Sequence, residues 1–120
     1  MSKAALAREV LGTYVRAWLL LRRRPLNDAL AALRAPRPAA APEDPRRLAR
    51  AVTRTLRVLP GDSRCLISSA TLSGLLAHRG VENVVVLGVR PGEEFAAHAW
   101  VELGGVPLLP PGDFERLVEV

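Results

Sequence analysis

Leu6, Val10, Tyr14, Trp18 and Leu21 recur at steps of three or four residues, with Arg8, Arg16 and Arg22 off that stripe. Such a period predicts an amphipathic helix over about Ser2 to Arg23. Pro25 interrupts it, and Leu26, Leu30 and Leu33 predict a second, shorter helix with Asn27 and Asp28 in its first turn. The stretch APRPAAAP, from Ala35 to Pro42, reads as an extended linker, because each proline biases its predecessor away from helix. Asp44 followed by Pro45 is a helix start: a capping side chain, then a residue whose missing N–H is not needed there. Leu48, Val52, Thr55 and Leu56 form one face of that third helix, which Pro60-Gly61 should end.

Asp62 and Ser63 are candidate caps for a fourth helix from near Cys65 to His78, with Leu66, Ala70, Leu72, Leu75 and Leu76 buried and Gly80 as its stop. The period then changes. Val84 to Val89 is β-branched and almost wholly apolar, as in a buried strand, and Ala96 to Leu103 alternates around His98, Trp100 and Glu102. Gly104-Gly105 turns that strand into a short one over Val106 to Leu109. The expected fold class is α+β, with N-terminal helices followed by a Cys-bearing helix packed on a small antiparallel sheet. The expected division is a helical segment over 1–34, an Ala/Pro-rich linker over 35–43 and a core over 44–120.

Half of the 120 residues are apolar, enough for one core and too few residues for two comfortable domains. The net charge of +5 rests on arginine, since Lys3 is the only lysine, and it suits acidic partners without choosing among them. A single cysteine excludes an internal disulfide and is compatible with a reducing, cytoplasmic setting. Neither a membrane-spanning stretch nor a secretory signal pattern is visible, so stable membrane insertion is not expected.

Cys65 falls in the first turn of its helix, where unpaired N–H groups and the positive end of the helix dipole favour a thiolate, the nucleophilic form. A lone cysteine is also a common packing residue. His98 lies in a strand between Ala97 and Ala99, with Trp100 on the same side to wall off water, and a strand histidine set against a helix N-terminus is what a Cys–His pair requires. The competing reading is a hydrogen-bonded core histidine. His78, in a last helical turn beside Arg79, reads as structural. One Cys and two distant His offer no metal-ligand spacing, no Gly-rich phosphate loop is present, and no cofactor is expected. Arg22-Arg23-Arg24 could bind phosphate or an acidic leader peptide, but a charge run at a helix end is most often a solvated cap, and aromatics are too sparse for a nucleic-acid stacking platform.

The runs CLISS from Cys65, LLAHRGV from Leu75, VLGV from Val86 and FAAHAWVE from Phe95 resemble the transglutaminase-like leader peptidases of lasso-peptide biosynthesis, the microcin-maturation type. The resemblance spans about Arg64 to Gly105, with a weaker likeness over Trp18 to Leu33. It implies a transglutaminase-like, papain-like core and removal of the leader from a ribosomally made precursor peptide. By the same resemblance Cys65 attacks the scissile carbonyl, His98 moves the proton, and water resolves the thioester. It also implies a separate leader-binding recognition protein and a partner lasso cyclase.

The family completes a triad with an aspartate on the strand after the histidine. The gapless position here is Pro110, which cannot orient an imidazole. Asp113 ranks first as substitute and Glu102, on the strand and face of His98, second. With no glutamine in the chain, the expected oxyanion donor is the backbone N–H of Cys65, helped by a neighbouring amide or the Ser63 hydroxyl. Three other readings stay open: a catalytically weak scaffold or leader-binding relative, acyl transfer to an amine, and a basic nucleic-acid or membrane-binding protein in which Cys65 is packing.

Overall fold

Ser2 and Asp44 begin two helices in the same way: each side chain accepts a hydrogen bond from a backbone N–H of the first turn, Ala5 at 3.1 Å and Arg46 at 2.9 Å. In this computed structural model, which describes residues 2–35, 42–57, 64–90, 96–108 and 114–120, those helices are α1 (Lys3–Arg23) and α3 (Pro45–Leu56). Between them α2 spans Leu26–Arg34, and α4 spans Arg64–Ala77. The four strands follow: β1 (Val84–Arg90), β2 (Ala96–Leu103), β3 (Val106–Pro107) and β4 (Glu115–Glu119).

The fold is α+β, as expected: four helices packed on an antiparallel sheet of order β3-β2-β1-β4. β4 is a strand the hydropathy pattern did not reveal. β3 is shorter than expected, closing a two-residue hairpin in which Gly104 and Gly105 take φ of 56° and 85°. The linker over 36–41, the Pro60-Gly61 stop, and the caps Asp62 and Ser63 lie outside the described residues.

Helix α4 is the centre. Ser69 through Leu76 are buried without interruption, so this helix has no solvent face. Leu6 and Val10 of α1, Leu30 and Leu33 of α2, Leu48 and Val52 of α3, and Val85, Ala99 and Val101 of the sheet share one cluster with its leucines. Two of its buried polar residues, Thr71 and Ser73, have hydrogen-bond partners. The Thr71 hydroxyl donates to the Ile67 carbonyl at 2.7 Å, and Arg34 donates to Ser73 Oγ at 2.8 Å and to the Val120 carbonyl at 2.9 Å. His78 has the structural part its position suggested, with Nε2 2.8 Å from the Leu33 carbonyl at the end of α2.

Gly80 ends the helix at φ 74°, with the Val81 N–H returning to the Leu76 carbonyl. The chain then reverses. Fourteen residues of α4 rise about 21 Å and seven of β1 about 23 Å. The end of β1 therefore comes level with the start of α4. No helix among the described residues is long and apolar enough to cross a membrane.

One ion pair fastens α1 to the end of α4. Arg79, its side chain 1 % exposed, gives Nη1 and Nη2 to the two oxygens of Glu9 at 2.9 and 2.7 Å. Removing one member of a buried pair strands the other charge. Glu9→Gln should therefore cost about 2 kcal/mol or more, measured by urea unfolding, whereas Glu82→Gln, at an exposed position, should change stability by less than about 0.5 kcal/mol.

Candidate active site

Cys65 sits in the first turn of α4, half-buried against the edge of the core. The backbone N–H groups of that turn have no intrahelical acceptor, which leaves donors beside the sulfur. His98 lies on β2 opposite Gly88 of β1, two residues from the end of that strand. Because α4 and β1 run back on each other over similar lengths, the helix start, the end of β1 and the start of β2 gather at one end of the molecule. Cys65 stands in that helix start and His98 near that strand start, with no hydrogen bond joining them among the described residues.

They approach that end from different sides. Ala99 and Val101 join the helical core, so alternation puts His98, Trp100 and Glu102 on the opposite face of the sheet. The His98 ring stacks on Trp100 at 5.9 Å between centroids and tilts against Phe114 at 5.1 Å. The indole beside the imidazole follows the spacing read from the sequence, while Phe114 enters from the loop edge of β4. For the imidazole to reach the sulfur it must pass round the start of β2. Among the described residues, His98 makes ring contacts and no side-chain hydrogen bond.

Trp100 is itself held in place. Its ring lies on Gly88, where an added Cβ would come within 2.5 Å of Cη2 and 2.8 Å of the Glu115 carbonyl. Its Nε1 donates to Glu102 Oε2 at 2.8 Å, and the other oxygen of Glu102 pairs with Arg116, which also pairs with Glu119. The buried Glu102 carboxylate is thus occupied on both oxygens. It braces the indole, and no hydrogen bond joins it to His98 among the described residues. Asp113 and Pro110 lie outside the described residues, as does Ser63.

Burial lowers the His98 pKa from its ordinary value, because the charged ring loses solvation. A neutral imidazole near pH 7 is the form that accepts a proton. No group of three or more His, Cys, Asp or Glu among the described residues could hold a metal ion. Gly88, Phe114 and Arg116 escaped sequence reasoning. The glycine inside an otherwise β-branched strand was the one available signal.

The family model of the transglutaminase-like superfamily matches residues 10–119. No curated protein matches the chain, and no solved structure does.

Two outcomes follow from this geometry. Gly88→Ala should displace Trp100 and cost about 1–3 kcal/mol, read as loss of the buried indole's near-UV circular dichroism in a Trp18→Phe background. The lowered His98 pKa means that the unfolded chain binds more protons as pH falls below about 6.5. The residue's contribution is complete above that value and is lost as pH drops toward the folded one. The urea midpoint should therefore fall more between pH 7 and pH 5 in the wild type than in His98→Gln.

Proposed function

Because the chain belongs to the transglutaminase-like superfamily, we propose that it is a cysteine peptidase that removes the leader from a ribosomally made, lasso-type precursor peptide. The observation that carries this reading is the match to the transglutaminase-like superfamily over residues 10–119, with the only thiol of the chain in the first turn of α4 and His98 on β2. The leader and the lasso class enter from the CLISS and FAAHAWVE runs and their resemblance.

In this reading His98 takes the thiol proton as the Cys65 sulfur attacks the scissile carbonyl carbon. The resulting oxyanion is met by the backbone N–H of Cys65 in the open first turn. Collapse breaks the C–N bond, and His98 returns the proton to the leaving amine. Water then attacks the thioester, giving up a proton through His98, and the new carboxyl end departs as the thiol is restored. An amine in place of water would give acyl transfer through the same thioester. Asp113 is the proposed orienting acid, with Glu102 engaged elsewhere. A separate leader-binding protein delivers the precursor to the peptidase, a lasso cyclase follows it, and all act in the cytoplasm.

One observation favours a second reading. The His98 ring is packed on Trp100 and Phe114 without a hydrogen bond to Cys65 or to an acid among the described residues, as a relative that holds the precursor without cutting it would have it.

Mass spectrometry of the precursor after incubation with this protein and the leader-binding partner separates the two. The wild type should make one leader-removing cut and Cys65→Ala none, with His98→Ala reduced at least about a hundredfold. Intact precursor with the wild type and an active partner would leave the holding role.

A further inference from the structure

A groove of about 720 Å³ opens between the outer face of α3 and the β2–β3 hairpin. Its hairpin wall is apolar, with Leu103, Leu108 and Val106, the last 63 % exposed. Its helix wall is cationic. Arg46, Arg50 and Arg54 stand at four-residue intervals, exposed and without an ion pair among the described residues. Among the described residues Asp44 is the only acid along the lining, and its side chain is engaged in capping α3.

The spacing selects a shape of ligand. Four helical residues advance about 6 Å, and every second residue of an extended chain advances about 6.6 Å. Carboxylates at alternate positions of an extended peptide therefore fall in step with the three guanidinium groups. The residues between them face the apolar wall. Pro107 removes a backbone donor from the β3 edge, which disfavours capture by strand addition and leaves the side chains to do the reading. Nucleic acid would also meet the charge, but among the described residues no aromatic lines the groove to stack a base.

Both walls precede candidate site residues along the chain. α3 continues through 57–63 into the helix bearing Cys65, and Leu108 is followed through 109–113 by Phe114, which touches His98. We propose that this groove is an exosite that holds an extended acidic stretch of the peptide substrate, its carboxylates on Arg46, Arg50 and Arg54 and its apolar residues on Leu103, Val106 and Leu108. That the acidic stretch belongs to the substrate rests on the peptidase reading above.

The test measures binding on a Cys65→Ala background, so cleavage plays no part in it. The probes are a fluorescein-labelled synthetic peptide with glutamate at alternate positions and valine or serine between, its glutamine counterpart, and oligo-dT. The glutamate peptide should bind, and the glutamine peptide should not. Arg50→Glu with Arg54→Glu should weaken binding roughly tenfold or more, and Val106→Asp on the facing wall should weaken it as well. The charge-matched pair Arg8→Glu with Arg23→Glu on α1 should leave it unchanged. Absent binding, equal loss in the α1 variant, an unaltered affinity in both groove variants, or oligo-dT bound as tightly as the peptide would overturn the exosite. Failure here beside intact precursor cleavage removes the groove and keeps the peptidase; retained binding without cleavage does the reverse.

Discussion

Everything in this fold is arranged to bury α4 on all sides. A helix with no solvent face needs neighbours all round, and α1, α2, α3 and the sheet each supply one. The helix is built for that position. Leu72, Leu75 and Leu76 fill the space between layers, while Gly74 lets α2 approach until an added Cβ would lie 3.3 Å from the Leu33 carbonyl. Ser73 joins Arg34 and Asn83, so this polar group carried inside has partners. The consequence for chemistry is positional. A fully packed helix is a rigid mount, and Cys65 stands at the one end of it that opens toward the strand ends.

The two faces of the sheet have separate duties. One closes the core against α4. The other carries an indole pressed on Gly88, braced through Glu102 and Arg116, with His98 lying against its ring. The carboxylate two positions from the histidine is spent on this bracing, one oxygen on the indole N–H and the other on the Arg116 guanidinium. The same packing strips solvent from the imidazole and lowers its pKa, favouring the neutral form. Position and protonation state are thus set by one local arrangement.

Much of this was legible in the residues, and the rest was hidden for physical reasons. The helices showed because apolar side chains repeat at the helical period, and the starts at Ser2 and Asp44 showed because capping is local chemistry. β2 was readable to its ends, since alternation survives where one face is buried. β4 was not. It is an edge strand whose five residues are all exposed, and a bulge between Leu87 and Gly88 of its partner breaks the register, so no period of two is left in Glu115–Glu119. Cys65 and His98 stood out as residue types in telling positions. The opposite sheet faces from which they approach follow from the layer order of the whole fold, which no short motif carries.

The proposed chemistry requires Cys65 to be a nucleophile served by His98. The most direct measurement is the rate at which iodoacetamide alkylates the single thiol of the folded chain at neutral pH, followed by intact-protein mass spectrometry in the wild type and in His98→Ala. The account predicts alkylation faster than that of the unfolded chain, slowed substantially in the variant, because the imidazole promotes the thiolate. A thiol slower in the folded chain than in the unfolded one, and indifferent to His98, would contradict it and make Cys65 a packing residue.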